Sequence, residues 1–356
     1  YYYQNYKKPQ GLAYENVWSI SYRNTLKTTN SDSLTTFYEN IRLNLKALPQ
    51  IKELSFSSDN YPYSTSSNST GLNYDGKSFN VMNTNVEADF MKVLGMKLLE
   101  GRWHTKEDGK VDNRNLVINA SLKKAMFGEE QQVVGKLLDA NEKNQRFKII
   151  GVVEDVKNDG DFEPAESGVY RNIDTAGFNW IGNILLKVSP DADAAFESRL
   201  SKLLSRILVN SNIEIKHLDE MRVFKNKITI VPMIICLIIS GFLIINVALG
   251  LFGVLWYNIS QRRGEIGLRR AIGASGISVS MQLVAESLML SSLSILVGVF
   301  FAIQFPLLHV FDMPASVYLL AILCSITFIY LLVILCSLYP GQQAAAIHPA
   351  VALHEE

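Results

Sequence analysis

Apolar residues are distributed along this chain in two different ways. Up to about residue 227 they occur in short runs broken by charged and turn-forming residues; beyond it they are almost continuous. In the first part, ENVWSISY (15–22) alternates as a strand does, and SLTTFYENIRLNLKALP (33–49) has helical spacing and closes at Pro49. IKELSFSSD (51–59) predicts a strand and VEADFMKVLG (86–95) a helix. NLVIN (115–119) runs into ASLKKAMFG, a short helix that Gly128 would cap. FKIIGVVEDV (147–156) is rich in β-branched residues, and NILLKV (183–188) predicts a strand. A helix over 190–208 follows, with Pro190 and Asp191 expected in its first turn, and NIEIKHL (212–218) closes the series. This alternation predicts an α+β domain of two small subdomains over 1–227, which the charges of the loops between the spans make extracytoplasmic. SSDNYPYSTSSNSTG (57–71) and KNDGDFEPAESG (157–168) are expected as loops.

The last third reads as an all-α membrane domain. Residues 228–259 contain no charge, and about 20 apolar residues suffice to cross the hydrocarbon core. Trp256 and Tyr257 stand at its end, where amphipathic rings favour the interface. An uncharged run that follows Glu286 and another over 317–339 predict spans over 278–305 and 317–339. The segment 260–277 between the first two carries four arginines, whereas 306–316 has no Lys or Arg. The positive-inside rule therefore places 260–277 in the cytoplasm, 306–316 and 1–227 outside, and the tail 340–356 inside. The chain opens YYYQNYKKPQG, without an initiator Met or a signal peptide. A large external region ahead of an outside-to-inside span leads us to expect a preceding transmembrane helix, four spans in all.

Charge sharpens this division. Of 34 basic and 34 acidic residues, only four and five lie beyond residue 227, leaving 30 and 29 in the first part. So balanced a domain is not a nucleic-acid binder by charge. All three cysteines (Cys236, Cys324, Cys336) fall in the apolar third, so no disulfide framework supports the external part.

Motifs for catalysis are missing. No GxxxxGK[ST], HExxH, CxxC or GxSxG run occurs. His104, His217, His309, His348 and His354 lack ligand spacing and read as surface or turn residues. Glu154, Asp155, Asp159 and Asp161 do not match a calcium loop and read as a solvated turn. No enzyme, cofactor or metal site is expected on this chain.

The remaining signal is QRRGEIGLRRAIGAS (261–275). On a helix Arg262, Ile266, Arg269, Arg270 and Gly273 share one side, and Glu265 precedes Arg269 by four residues. As a purely topological device, the arginines hold a cytoplasmic loop against lipid head groups. The order of residues resembles something more specific. It is similar to the RRxEIGLRRAxGAS signature of the FtsX/MacB-like ABC transporter permeases. MQLVAESLMLS (281–291), YPGQQAAAIHPAVAL (339–353), FMKVLGMKLLEGR (90–102), LVINASLKKAMFG (116–128) and FKIIGVVEDVK (147–157) resemble other parts of that family. Two departures stand out. The family's first transmembrane helix is absent, and Gln342 and Gln343 replace the arginines frequent in the tail.

The resemblance implies a MacB-type periplasmic core domain plus an FtsX-like transmembrane domain in the bacterial inner membrane. It implies a permease dimer, homo- or heteromeric, working with a separate or fused ABC ATPase that binds ATP, and with periplasmic or outer-membrane partners. A cytoplasmic coupling helix over 260–277 would receive the ATPase's motion and pass it outwards, for efflux, lipoprotein release or control of a hydrolase. On this reading Arg262, Arg263, Glu265, Arg269 and Arg270 supply the polar contacts of the ATPase seat. Ile266, Leu268, Ala271 and Gly273 supply its close-packed part. Within the membrane, Glu286 is a candidate by being an acid at the edge of the bilayer, expected at the interface or paired with Arg270. Gly241, Asn246, Gly250 and Gly253 are candidates for close helix packing. The alternative is a membrane-anchored sensor or scaffold, or an FtsX-like regulator of a cell-wall hydrolase.

Overall fold

The computed structural model describes residues 1–22, 30–108, 114–130, 132–140, 146–173, 181–308 and 313–346. His309, His348, His354, the centre of the 306–316 loop and the end of the tail lie outside the described residues. The chain forms two compact units, Tyr1–Val231 and Pro232–Glu356.

The first unit runs α1 (Tyr2–Tyr6), β1 (Val17–Tyr22), α2 (Ser31–Lys46), β2 (Ile51–Ser57), β3 (Ser69–Tyr74), β4 (Lys77–Val86), α3 (Phe90–Val93) and β5 (Leu98–Gly101). It continues with β6 (Asn115–Asn119), α4 (Ala120–Phe127), β7 (Leu137–Ala140), β8 (Arg146–Val153), β9 (Gly168–Asn172), β10 (Asn183–Val188), α5 (Ala194–Ile207) and β11 (Ile213–His217). The long helix α6 (Leu218–Gln261) starts here and carries the chain into the second unit, which adds α7 (Arg263–Ala271), α8 (Gly276–Ala302), α9 (Gln304–Leu307) and α10 (Ala315–Ala345).

Two strand systems build the first unit. Strands β11, β1, β10 and β2 form an open antiparallel sheet. Trp18, Ile20 and Tyr22 alternate onto one face, where Leu34, Tyr38, Ile41 and Leu45 of α2 and Phe196, Leu200 and Leu204 of α5 meet them. Burying each such side chain contributes about 1.5–3 kcal/mol, which fixes both helices to this face. Asn30 caps α2 by accepting the N–H groups of Asp32 and Ser33 at 2.9 and 3.1 Å. Asp193 caps α5 through Phe196 N–H at 2.8 Å. That cap corrects the expected helix start: Pro190 and Asp191 precede α5, because the carboxylate that reaches a free backbone donor is Asp193.

Strands β4, β3, β7, β8, β6 and β9 pair in a ring that closes through a parallel β4–β9 contact. Leu72, Val81, Leu116, Ile118, Leu138, Phe147, Ile149, Val152 and Val169 fill its interior. The β3–β4 hairpin, absent from the sequence reading, turns at Asp75 and Gly76 with φ of 49° and 72°. Both positive values fit the primed two-residue turn that suits twisted strands. The helix expected over 86–95 shrinks to α3. Val86 belongs to β4, and the Glu87 carboxylate is held by Phe56 N–H at 2.9 Å and by Arg42 at 2.6 Å.

Helix α6 begins ten residues before the uncharged run, and its base is tied into the first unit. Asp161, only 3% exposed, accepts Arg222 Nε and Nη2 at 2.7 and 2.6 Å, Asn226 Nδ2 at 2.8 Å and Gln10 Nε2 at 2.7 Å. Its own N–H donates to Asn226 Oδ1 at 2.8 Å. Beside it Gly160 has φ of 99°, and a Cβ there would lie 2.6 Å from that same Oδ1. Lys225 pairs with Asp159 at 2.6 Å. The buried Lys157 ammonium donates to the carbonyls of Asn5, Lys8 and Asp161, the last two at 3.0 Å. Segment 157–161 is therefore not the solvated turn expected from sequence. It is a knot joining the amino-terminal segment to the root of α6. Asp155 is likewise engaged, accepting Ser121 N–H and hydroxyl at 2.7 Å each.

Removing one partner of a buried, hydrogen-bonded ion pair leaves the other charge stranded. Asp161→Ala is expected to cost about 3 kcal/mol, whereas Asp139→Ala, which breaks an exposed pair with Arg146, should change stability by under about 1 kcal/mol. Thermal unfolding followed by intrinsic fluorescence checks this. A smaller loss for Asp161→Ala than for Asp139→Ala would remove the knot's claimed role.

Candidate functional site

The arginine-bearing segment folds as its residue order dictates. Arg262 departs from helical geometry at φ −102°, ψ 19°, separating α6 from α7. Ile272 N–H then bonds Leu268 C=O at 3.1 Å, Gly273 N–H bonds Arg270 C=O at 3.2 Å, and Ala274 N–H reaches back to Arg269 C=O at 3.0 Å. With Gly273 at φ 105°, this is a Schellman stop, which needs a residue tolerant of the left-handed region. Ser275 immediately caps α8, its hydroxyl accepting Ser278 N–H at 3.2 Å. The GAS run thus ends one helix and starts the next, and Gly273 acts through its backbone.

One face of α7 belongs to the protein's own interior. Ile266, 6% exposed, packs with Ile259, Val279 and Ala344. Close approach of α8 and α10 holds this small core: a Cβ on Gly341 would lie 2.5 Å from Ser280 Oγ, and one on Gly276 would lie 3.0 Å from Arg270 Nη1 and 3.1 Å from Ala345 Cβ.

A polar network runs along the flank. Arg269 bonds Glu265 at 2.5 Å and Gln282 Oε1 at 2.7 Å; Gln282 Nε2 donates to Glu286 Oε1 at 3.1 Å; Arg262 approaches Glu286 Oε2 at 3.4 Å. The partner of Glu286 is therefore Arg262 rather than Arg270, because Arg262 sits at the break between α6 and α7. Glu286 and Arg262 are about half exposed, so the pair positions more than it stabilises.

What remains on the surface is mixed. Leu268, Ile272 and Ile277 are 51%, 78% and 78% exposed, and Ala271, Arg262, Arg263 and Arg269 are exposed with them. The geometry offers a patch in which aliphatic side chains lie beside guanidinium groups.

The membrane-depth candidates behave differently. A Cβ on Gly241, Gly250 or Gly253 would meet nothing within 4 Å, so no helix among the described residues packs against them. Asn246 Nδ2 donates to Phe242 C=O on its own helix at 2.8 Å. Three helices among the described residues are long and apolar enough to cross a membrane.

Histidine placement needs one correction. His104 is 3% exposed rather than on the surface, wedged against Trp103, with Nε2 2.9 Å from the Tyr170 carbonyl oxygen. Burial pushes its pKa down. His217 stacks on Trp18 and lies 3.3 Å from Glu197. No group of three metal-ligating side chains occurs among the described residues.

Comparison with known proteins gives two family matches: the MacB-like periplasmic core domain over residues 6–203 and the FtsX-like permease C-terminal region over 237–349. The chain is 28% identical over 231 residues to a macrolide export ATP-binding/permease protein MacB of Aggregatibacter actinomycetemcomitans, covering 63% of this chain and 35% of that protein. It is 24% identical over 333 residues to the MacB of Bdellovibrio bacteriovorus, covering 89% and 50%. It is also 24% identical over 278 residues to the ABC transporter permease YknZ of Bacillus subtilis, covering 76% and 66%. The chain thus spans between a third and a half of the two MacB relatives.

Because Ile266 anchors α7 while the flanking ion pairs are exposed, the two should differ sharply on mutation. Ile266→Ala is expected to cost about 2 kcal/mol locally and to speed tryptic cleavage at the α7 arginines. Glu286→Gln should leave the cleavage rate within about twofold of the parent. Equal rates for both variants would mean that the small core does not hold the helix.

Proposed function

Since the chain belongs to the MacB-like periplasmic core family and continues into an FtsX-like permease region, we propose that it is the permease part of an ABC transporter, coupling ATP hydrolysis on a partner ATPase subunit or domain to movement of its periplasmic unit. It is an inner-membrane protein with a periplasmic domain. In this reading α7 is cytoplasmic and is the surface on which the ATPase bears. Arg262, Arg263, Arg269 and Arg270 meet acidic groups there, and Leu268, Ala271 and Ile272 enter its groove.

The observation that carries this reading is the exposed aliphatic patch on α7 beside the arginines. A loop that only obeyed membrane topology would need the charge alone. Three aliphatic side chains left uncovered by the chain's own helices beside the arginines are unfavourable in water unless another surface covers them. A mechanical route to the periplasmic unit is supported by α6, a continuous helix of 44 residues. Its first turns are held by the Asp161 knot and its last turn adjoins α7. A second copy of the chain completes the reading. The open faces at Gly241, Gly250 and Gly253 are compatible with close packing of helices, and efflux or release of a substrate would be the output.

The test is charge reversal with an apolar companion. Arg269→Glu with Arg270→Glu, and separately Ile272→Asp, should leave membrane insertion intact and lower ATPase recovery on co-purification about tenfold or more. Undiminished co-purification and undiminished stimulation of ATP hydrolysis in both variants would refute the assignment of α7.

A further inference from the structure

Two hydrogen bonds set the root of the first unit level with the membrane surface. The uncharged run of α6 begins at Ile228, so the hydrocarbon starts within about a turn of that residue. Thr229, the second residue of the run, donates its hydroxyl to Glu163 Oε1 at 3.2 Å. Three residues earlier on the same face, Asn226 Oδ1 accepts the Asp161 N–H at 2.8 Å. Segment 161–163 therefore runs alongside α6 from the knot to the depth at which the bilayer begins.

Aromatic rings collect at that depth. Phe162, between the two bonded residues, stacks on Tyr6 of α1, with ring centroids 5.4 Å apart and planes inclined by 18°. Tyr6 remains 53% exposed, and Tyr3, about one turn before it, 67%. The Lys157 ammonium holds α1 in place through the Asn5 carbonyl. The Lys7 ammonium lies over the Tyr3 ring, 4.5 Å from its centroid. On the side of α6 away from the knot, Lys227 is exposed next to the first residue of the run, without an ion-pair partner among the described residues.

Exposed tyrosines gathered around a further ring mark a contact surface. Its place beside the start of a membrane span identifies what it touches. Amphipathic rings favour the headgroup layer, where the ring reaches apolar depth and the hydroxyl stays among polar groups. Lysine does the same with its apolar stem and charged tip. A soluble protein would have to displace headgroups to reach these rings, whereas lipid meets them wherever α6 enters the bilayer.

We propose that Tyr3, Tyr6 and Phe162 form a foot that rests among the phospholipid headgroups of the periplasmic leaflet, with Lys227 as a phosphate contact on the other side of α6. The first unit is then braced on the membrane beside the helix as well as joined to it. The inference rests on α6 crossing the membrane and does not depend on α7 or on an ATPase.

The full chain, with Cys236, Cys324 and Cys336 replaced by Ser, is given a nitroxide label at Tyr3→Cys, Pro164→Cys or Leu43→Cys and placed in phosphatidylcholine nanodiscs. Pro164 is exposed in the same turn as Phe162, and Leu43 is exposed on α2, which packs on the face of the sheet away from α6. Relaxation of each label is measured with nickel chelated to a lipid headgroup and, separately, with a soluble nickel chelate. Headgroup nickel should speed relaxation at the Tyr3 and Pro164 sites about threefold or more over the Leu43 site, with the order reversed for soluble nickel. Tyr6→Asp, which sets a carboxylate among the headgroups, should lower the response of the Tyr3 site to headgroup nickel about twofold or more. A response at either site no greater than at Leu43, shielding of either site from both forms of nickel, which would mean that protein covers the rings, or an unchanged response in Tyr6→Asp would overturn the proposal.

Discussion

The structure turns on a buried carboxylate. Asp161 gathers donors from the amino-terminal segment and from two successive positions of one face of α6. Taking a carboxylate and a guanidinium out of water costs several kcal/mol each, and only near-ideal geometry offsets it. Here the geometry is bidentate, Arg222 also lies over the Tyr14 ring at 4.2 Å, and the hydrogen bond to Asp161 raises the Arg222 pKa further. Such a pair specifies position more than it adds net stability. It fixes where α6 leaves the first unit. Gly160 belongs to the same device: no side chain could share its place with the Asn226 amide.

At the other end of α6 the problem is reversed, since a helix has to stop, turn and restart within a few residues at the membrane edge. The segment spends Gly273 and Ser275 on caps, Ile266 on a small core and Arg262 on the break. These residues have sufficient reasons within the chain itself. Leu268, Ala271 and Ile272 keep exposed side chains that α7's own fold does not require to be aliphatic.

Local pattern made much of this legible. The spans, β1, β2, β10, α2 and α5 follow from periods of 2 and 3.6 and from residues that bury on one face. The closed ring was hidden because its defining contact, β4 with β9, joins residues 82–86 to 168–172 in parallel. No neighbouring residues announce so distant a pairing. The β3–β4 hairpin carries a local sign in Asp75–Gly76, set between alternating runs. Asp161 is hidden for a different reason. Its neighbours Asp159 and Glu163 look like solvated acids, and only the spacing of Arg222, Lys225 and Asn226, three and four apart ahead of the apolar run, hinted that a charged helix face needed an acidic partner. For the α7 segment, sequence located the helix, but which of its residues are internal depended on α8 and α10 arriving beside it.

The first turns of α6 show how much the knot fixes. At 100° per residue, Arg222, Lys225 and Asn226 lie on the face turned to the Asp159–Asp161 segment, while Glu220 and Phe224 lie nearly opposite. Turning the root of the helix by a single residue, about 100°, would carry Arg222 and Asn226 away from Asp161 and strand a carboxylate that is 3% exposed. The knot therefore sets the rotation of this end of α6 as well as its position.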